Sequence, residues 1–345
     1  MVVTVDEIKR KVQLLFREVG VSDYNSNLIA DALLDADMNG NTSHGIRMAL
    51  DHAKKFQLCY SKQEKITVVK NYPSVTVCDA NNMMGIISAC QCMEIALSKA
   101  KSNGAHIVFC RNANTFSAAS YYVEMAVKEK MVGIAICNSP AQMAPVGGLD
   151  RLFGTNPIAI GFPGEHDDSF IFDMATSAVA KSKINEVIDK GGDYIPLGWA
   201  TDSNGIPTTD PRKAQTGIIS PLGGVKGYGL SASIDLLAGC LGGAAFLNDV
   251  GRFYPISNPG MNVGHFFMAI DPKLIGDENF LNKFSEYYKR IRNSKNIFGQ
   301  TVYIPGDLAK ISKKRAIENG LDYPDRIIED IDTFIDSLHN ATLLH

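Results

Sequence analysis

The first sixty residues place apolar side chains at the spacing of helices that bury one face. Between residues 5 and 19 they recur every three or four positions, and Gly20 closes the segment. This period is typical of an amphipathic helix. An Ala- and Leu-rich stretch predicts a second helix over 26–38, and a third is predicted over 45–56. The chain is therefore expected to open with a helical layer.

From residue 66 onward, short apolar runs alternate with helical patterns. The runs predict strands at 66–69, 74–77, 106–110, 132–137, 158–162, 170–172 and 265–270. Helices are predicted between and after them, at 84–102, 117–130, 227–241, 277–292, 307–318 and 325–338. Residues 191–225, rich in Gly, Pro, Thr and Asp, predict an ordered surface loop. Alternation of strands and helices favours an α/β domain with a partly parallel sheet.

Length and pattern together predict a division of the chain. With 345 residues, 45% of them hydrophobic, the chain can bury a large core and suggests about two domains. We expect a mixed α/β domain over 71–275, inserted in a helical domain built from residues 1–70 and 276–345. The fold class is thus α/β with a mixed sheet.

Charge and composition exclude several classes of function. The net charge of −3 and the pI near 6.2 give no reason to expect nucleic-acid or anionic-membrane binding. The N-terminus lacks the order of a secretory signal, and we find no apolar run of membrane-spanning length. A cytoplasmic protein is expected. The seven cysteines and seven histidines show neither disulfide nor metal-ligand spacing, so no metal is expected.

The usual nucleotide-binding signatures are missing from the sequence. Gly227 and Gly229 form a G-x-G, but no glycine follows three residues later, as a Rossmann turn requires. A phosphate-binding G-x-x-x-x-G-K-[ST] loop is also missing. Composition and periodicity alone therefore predict an α/β protein, and an enzyme is one possibility.

Seven sequence blocks in fixed order carry the argument further. They are NGNTSHG at 39–45, FGTNP at 153–157, FDMATS at 172–177, PTTDP at 207–211, PLGGVKGYGL at 221–230, GHFFMAIDP at 264–272 and YIPG at 303–306. In these blocks the chain resembles the type-2 malate/L-lactate dehydrogenase family, which includes sulfolactate, ureidoglycolate and diketogulonate dehydrogenases and cyclic imino-acid reductases. The resemblance implies a non-Rossmann nicotinamide-binding fold and a homodimer. It also implies NAD(P)-dependent hydride transfer with a small 2-oxo acid such as oxaloacetate.

The resemblance assigns His44 as the proton donor, with Ser43 hydrogen-bonded to it. Reduction of a carbonyl needs a proton as well as a hydride, and imidazole titrates near neutral pH. The polar side chains at 42–44 would also suit a cap on the following helix. Both uses stay open at this point.

Two residues are assigned to the substrate. Arg47 can pair bidentately with a carboxylate, but the family commonly carries its arginine one position later, where Met48 stands. One residue turns a helix by about 100°, so a substrate anchor and a surface arginine are both open for Arg47. Asn156 is placed beside the substrate because its bond to Pro157 would hold a fixed turn there.

Thr115 is the main departure from the family pattern. Many relatives have His-Phe-Gly at 115–117, and in ureidoglycolate-type relatives that histidine is the general base. Here Thr115 and Ser117 replace the two outer residues. A threonine hydroxyl can hydrogen-bond a ligand but cannot act as a base near neutral pH. His44 would then carry the proton transfer alone, or activity would be reduced or lost.

The resemblance also assigns the cofactor-binding residues. They are Thr115, Phe116, Ser117, Ala118, Ala119, Asn138, Ser139, Asp173, Met174, Ala175, Lys226, Ile304, Pro305 and Gly306. The loop at 115–119 precedes a predicted helix, whose free amides would suit a cofactor phosphate. NAD is preferred over NADP because no arginine is evident beside the ribose 2′ position. A turn or packing role is the alternative for each residue.

Two other functions remain open. One is imine reduction or ureidoglycolate oxidation, of which the latter is disfavoured by Thr115. The other is a cofactor-binding paralogue with little or no turnover, suggested by the changes at Thr115 and Met48.

Overall fold

A computed structural model describes residues 1–276 and 278–342. The helices are α1 (Val5–Glu18), α2 (Asp23–Met38), α3 (Ala49–Leu58), α4 (Gly85–Asn103), α5 (Ala119–Lys128), α6 (Lys181–Asp189), α7 (Pro211–Thr216), α8 (Val225–Ile234), α9 (Pro272–Ile275), α10 (Phe280–Arg292), α11 (Asp307–Asn319) and α12 (Asp325–Thr342). The strands are β1 (Val2–Val3), β2 (Thr67–Asn71), β3 (Val75–Asp79), β4 (Ala105–Ala113), β5 (Val132–Cys137), β6 (Ile158–Pro163), β7 (Ser169–Met174), β8 (Ala200–Thr201), β9 (Pro207–Thr208), β10 (Ile218–Ile219), β11 (Val263–Ile270) and β12 (Leu321–Asp322).

A seven-stranded sheet in the order β2-β3-β4-β11-β5-β6-β7 forms the centre of the molecule. β3 and β4 run parallel, joined through α4, and the other neighbouring pairs are antiparallel. The predicted mixed α/β class is confirmed. β11 comes late in the chain but lies between β4 and β5. The three strands therefore bring together segments that are far apart in the sequence.

The main core lies where α4 and α5 cover one face of the sheet. Tyr122 and Phe267 are fully buried there, together with Phe16 from α1. Gly133 on β5 lets α5 approach closely, since an added Cβ would lie 2.7 Å from the Cβ of Ala126. The opposite face packs Phe109 and other apolar side chains of the sheet against residues of the 225–241 segment. A third, smaller cluster includes Ile184 of α6.

The two ends of the chain meet. β1 pairs with β12, and the Met1 ammonium donates to the carbonyl of Tyr323 at 2.7 Å. α12 contacts α1 and α3, and α11 contacts α2. These contacts join the first and last helices, while the division at residues 70 and 275 stays a prediction. Residue 277, the expected start of one helix, and residues 343–345 lie outside the described part of the chain.

Three local predictions need correction. Residues 191–225 are not simply a loop, because α7 and the three-stranded sheet β10-β8-β9 lie there, after the unpredicted helix α6. The helix expected over 45–56 begins only at Ala49, because two 3₁₀ turns occupy 42–44 and 46–48. The predicted helix over 227–241 begins at Val225 and becomes a π-helix from residue 235. Within the described ranges, every helix is too short or too polar to cross a membrane.

Candidate functional site

A cavity of about 450 Å³ opens between the first 3₁₀ turn, the loop before α5 and the ends of β5 and β7. Most of the residues predicted for the site lie in its wall. They are Ser43, His44, Thr115, Phe116, Ser117, Ala118, Ala119, Asn138, Ser139, Asp173, Met174, Ala175 and Gly306. These residues come from five separate segments of the chain, which the fold brings together around one cavity. Their functional roles stay predictions.

His44 ends the first 3₁₀ turn, and its imidazole is held from one side. Nδ1 lies 2.9 Å from the Ser43 hydroxyl and 3.2 Å from Oδ1 of Asn41. The amide oxygen can only accept, so it fixes a proton on Nδ1 or stabilises the doubly protonated ring. Desolvation by the surrounding protein lowers the pKa of His44. Within the described chain, we find no hydrogen bond to Nε2, which remains the nitrogen for a ligand.

The alternative role of residues 42–44 as a helix cap is not supported. α3 begins after Met48, and no side chain caps it. Ser43 instead donates to Oδ1 of Asn41 at 3.2 Å or to the imidazole. The polar side chains therefore hydrogen-bond within the turn.

Asp37 holds the start of the second 3₁₀ turn, directly after His44 and Gly45. Its Oδ2 accepts from the Ile46 amide and from the Tyr323 hydroxyl, both at 2.8 Å. Gly45 passes so close that an added Cβ would lie 1.9 Å from Oδ1 of Asp37. Burial outweighs these hydrogen bonds and raises the pKa of Asp37 from 3.8 to about 6. Neither Asp37 nor Tyr323 could be found from sequence, because 286 positions separate them.

The loop at 115–119 forms the part of the cavity wall next to His44. The Ser117 hydroxyl donates to the carbonyl of His44 at 2.6 Å. Phe116 stacks between Tyr122 and His265, with ring centroids 5.0 and 4.8 Å away. Ser117 has a φ of +69°, a backbone region that favours glycine. The hydrogen bond to the His44 carbonyl is therefore a contact that the family glycine could not make.

The anion site expected at the start of the next helix is partly taken by the protein itself. α5 begins at Ala119 rather than near Ser117, and its N-cap residue, Ala118, has no side chain able to cap. Oδ2 of Asp173 accepts from the Ser120 amide at 2.8 Å instead. A carboxylate already lies at this helix end, where it interacts favourably with the helix dipole. A cofactor phosphate would share this helix end with the Asp173 carboxylate, and the predicted phosphate position stays a prediction.

Asn138 and Asn156 serve the backbone around the cavity. The Asn138 side chain donates to Asp235 and to the Ala245 carbonyl, and it accepts from the Gly264 amide. Asn156 is fully buried and accepts from the Ser139 amide at 2.9 Å. Asn156 is not part of the cavity wall, so in this structure it positions Ser139 instead.

Four other predicted residues also lie outside the wall. Arg47 and Lys226 are exposed, on the second 3₁₀ turn and on α8. Ile304 is buried, and the carbonyl of Pro305 accepts from the Ile171 amide at 3.0 Å. Both therefore support Gly306, which does line the cavity.

A second cavity of about 520 Å³ adjoins the first. The two share wall residues, namely Asn39, Glu124, Ile171, Gly306 and Ala309. The wall of the first also contains residues that the sequence argument missed, among them Asn41, Ser120, Cys137, Thr155, Ala180 and Met261. Ser120, Cys137 and Thr155 are each adjacent in sequence to a predicted residue, whereas Asn41, Ala180 and Met261 are not. Together the cavities form an elongated cleft.

Comparisons with known proteins identify relatives over nearly the whole chain. The family model described as malate/L-lactate dehydrogenase matches residues 3–332. The chain is 38% identical over 320 residues to the L-sulfolactate dehydrogenase of Methanocaldococcus jannaschii, covering 91% of each chain. It is 35% identical over 342 residues to the malate/(S)-sulfolactate dehydrogenase of Methanothermus fervidus, covering 98% of each. The solved structure of the Methanocaldococcus jannaschii sulfolactate dehydrogenase superposes with a TM-score of 0.92 at 35% identity, covering 98% of both chains. Family members use NAD⁺ or NADP⁺.

Proposed function

The chain belongs to the malate/L-lactate dehydrogenase family, whose members are oxidoreductases that act on CH–OH groups, and on that premise we propose that it transfers a hydride between a nicotinamide cofactor and a small 2-oxo or 2-hydroxy acid. The acids we expect are oxaloacetate and malate, or their sulfonate counterparts, because relatives carry those names. The observation that carries the proposal is His44 in the wall of the cleft, with Nδ1 held by the protein.

The shape of the cleft fits an elongated cofactor. Small side chains line it on several sides, at Ser117, Ala118, Ala175, Gly306 and Ala309, and these leave room for a flat ring. A bound reduced nicotinamide would supply the hydride. Met174, Ala175 and the 115–119 loop would hold it beside His44.

The protein's own part in the reaction is the movement of a proton. His44 would give a proton from Nε2 to the substrate oxygen during reduction and take one back during oxidation. Ser43 and Asn41 hold the ring through Nδ1, so the free nitrogen keeps its direction. Because burial lowers the pKa of His44, reduction should slow as pH rises through that pKa, while oxidation should speed up.

We take NAD as the cofactor. Four lysines line the second cavity, but three are already engaged: Lys130 by backbone carbonyls, Lys310 by Asp168, and Lys313 by Asp35 and Glu124. A 2′-phosphate there would have to compete with these partners. NADH should therefore be used at least as well as NADPH.

The first experiment is oxidation of NADH and NADPH with oxaloacetate, pyruvate and other 2-oxo acids, followed by the absorbance of the reduced cofactor. His44→Ala should lower kcat by about 10²- to 10⁴-fold, the usual contribution of a general acid. His339→Ala, an exposed histidine on α12, is the matched control and should match the wild type. Undiminished turnover in His44→Ala would refute the proton-donor role. Cofactor binding without turnover in the wild type would favour the non-catalytic paralogue suggested by Thr115.

We also propose that the protein is a homodimer. Leu222, Val225, Leu236 and Leu241 are 43%, 66%, 61% and 69% exposed on and beside α8. Over residues 222–241 the charged residues are Lys226 and the buried Asp235. An apolar surface of this kind usually marks a protein interface.

A further inference from the structure

One arginine joins two parts of the wall of the second cavity. Arg292 is the last residue of α10, and its guanidinium donates hydrogen bonds to two carboxylates. Nε and Nη2 donate to Asp307 at 2.9 and 2.7 Å, and Nη1 and Nη2 donate to Asp168, both at 2.9 Å. Asp168 lies between β6 and β7, and Asp307 is the first residue of α11. Two segments that are distant in the sequence are therefore linked through one side chain.

Both linked segments contribute to the wall of the second cavity. Residues 166–169 line it from one segment, and Gly306 and Lys310 line it from the other. The segments also touch each other, since the Ile171 amide donates to the Pro305 carbonyl at 3.0 Å. Gly306 passes so close that an added Cβ would lie 3.2 Å from the Ile171 nitrogen. The width of the cavity here therefore depends on how these two segments are held together.

The bridge is partly buried and needs a particular donor geometry. The side chains of Arg292, Asp168 and Asp307 are 30%, 28% and 14% exposed. Burial alone would raise the pKa of both carboxyls, but hydrogen bonds led by those from Arg292 outweigh it, and both pKa values are lowered. A guanidinium presents its N–H groups in a planar fork that can serve two carboxylates at once, whereas an ammonium group is a single point charge. The bridge therefore needs an arginine.

The bridge continues into the backbone at both ends. Oδ2 of Asp307 also accepts from the Ile304 amide at 3.0 Å, which fixes the loop before α11. At the other end, the Tyr288 hydroxyl on α10 donates to the carbonyl of Pro163 at 3.0 Å, where β6 ends. α10 is thus attached to the sheet, and Arg292 extends from it to α11.

We propose that Arg292 is a positioning residue for the cofactor, holding the 166–169 segment and the start of α11 at the separation that a bound dinucleotide needs. This inference rests on the proposed function, because it takes the second cavity as part of the cofactor cleft. Arg292 lines neither cavity, so it would act through Asp168 and Asp307 without touching the cofactor. Its loss would also leave two carboxylates without their shared cation beside a cleft that accepts anionic phosphates.

The test is the dissociation constant of NADH, titrated without substrate and followed by cofactor fluorescence. We expect Arg292→Gln to raise this constant by about 10- to 100-fold, the usual effect of losing charge-assisted hydrogen bonds. At saturating NADH, kcat should change less than about threefold, because His44 lines the first cavity and the three bridge residues do not. Arg290→Gln is the matched control, since Arg290 is exposed on the same helix and pairs with Glu286. Thermal melting checks that each variant is folded.

Two further variants test the bridge itself. Arg292→Lys keeps the positive charge but cannot serve both carboxylates in the same way, so it should bind NADH nearly as weakly as Arg292→Gln. Asp168→Ala leaves Arg292 paired with Asp307 and should also weaken NADH binding. Combined with Arg292→Gln, its effect should be less than additive, because both changes remove the same link. Asp168→Ala decides the matter by itself if Arg292→Gln does not fold.

Several outcomes would overturn the inference. They are full NADH affinity in Arg292→Lys, an unchanged dissociation constant in Arg292→Gln or Asp168→Ala, and fully additive effects in the double variant. A lower melting temperature with unchanged NADH binding would assign Arg292 to stability alone. Failure of the proposed function would appear separately, as a wild type that binds NADH without turning over any 2-oxo acid. A wild type that binds neither NADH nor NADPH would overturn both.

Discussion

At the scale of single residues, the proposed proton chemistry depends on what lies against Nδ1 of His44. Desolvation disfavours the charged imidazolium, and Oδ1 of Asn41 opposes this effect by accepting from Nδ1. Ser43 can donate to this nitrogen as well as accept from it, so it does not distinguish the two protonation states. Asn41 is therefore the residue that should tune the acid.

Asn41→Ala should remove the hydrogen bond to Nδ1 of His44. It should not leave a cavity in the core, because Asn41 is exposed. We expect the pH at which the reduction rate falls to move downward, and kcat at neutral pH to drop by about tenfold, the loss of one hydrogen bond to a charged group. The measurement is the pH dependence of kcat/KM for reduction. Asn41→Asp should move the same limb upward, because a carboxylate stabilises the imidazolium more strongly.

Thr42→Ala is the control for this pair, since Thr42 lies in the same turn and is exposed. Its pH profile should coincide with that of the wild type. If Asn41→Ala and Asn41→Asp moved the limb in the same direction, or neither moved it, Asn41 would have only a structural role.

The same residues show how far sequence reasoning reaches. The family resemblance predicted thirteen residues that line the cavity, and most of them lie at or next to the ends of strands and helices. Arg47 was harder to place, since a 3₁₀ turn replaces the expected helix and leaves its side chain exposed. Asn41 was quoted within a block but given no role, because only the folded turn brings its amide to Nδ1. Hydrogen bonds within turns do not follow from residue type alone.

At the scale of elements, the end of α2 and the second 3₁₀ turn are joined through one buried carboxylate. Asp37 is 4% exposed, and its pKa is raised to about 6 in the fold. An acid with a raised pKa favours the folded state when it is protonated. Its contribution is therefore full below about pH 4 and is lost as pH rises through 6. A shift of about two pKa units corresponds to roughly 3 kcal/mol.

Asp37→Asn should remove this dependence. Relative to wild type, the free energy of unfolding of the variant should rise between pH 4 and pH 7, by up to roughly 3 kcal/mol. Urea denaturation at several pH values measures this difference. Other acids, such as Asp79 and Asp168 with their lowered pKa values, also make stability depend on pH. Their contributions are the same in the wild type and the variant, so they cancel in the difference. A difference that stays constant with pH would show that Asp37 does not titrate in this range.

Regular elements with a strong hydrophobic period were predictable, and the short ones were not. The strands at β4, β5, β6 and β11 are apolar runs long enough to recognise. The position of β11 between β4 and β5 has no local signal, because it is determined by contacts between segments far apart in the chain. The strands β8, β9 and β10 have two residues each, too few to show a period.

At the scale of the whole molecule, the ends of the chain close on each other while one surface remains apolar. Pairing of β1 with β12 and the hydrogen bond from Tyr323 to Asp37 connect the C-terminal segment to the proposed catalytic turn. On the surface at α8, by contrast, apolar side chains are exposed. An added Cβ at Gly229 would meet no atom within 4 Å, so another helix can approach closely at this point. A second copy of the chain would bury Val225 and Leu236 about this glycine.

Leu236→Asp should therefore convert the protein from a dimer to a monomer. A stable homodimer buries about 800 Å² per partner around a mostly apolar centre, and a carboxylate there would lose its water without gaining a partner. Light scattering coupled to gel filtration measures the mass of the wild type and the variant. Leu58→Asp, 69% exposed at the end of α3, is the control and should leave the mass unchanged. Equal masses for wild type and Leu236→Asp would show that this face is not the interface, and a monomeric wild type would refute the dimer itself.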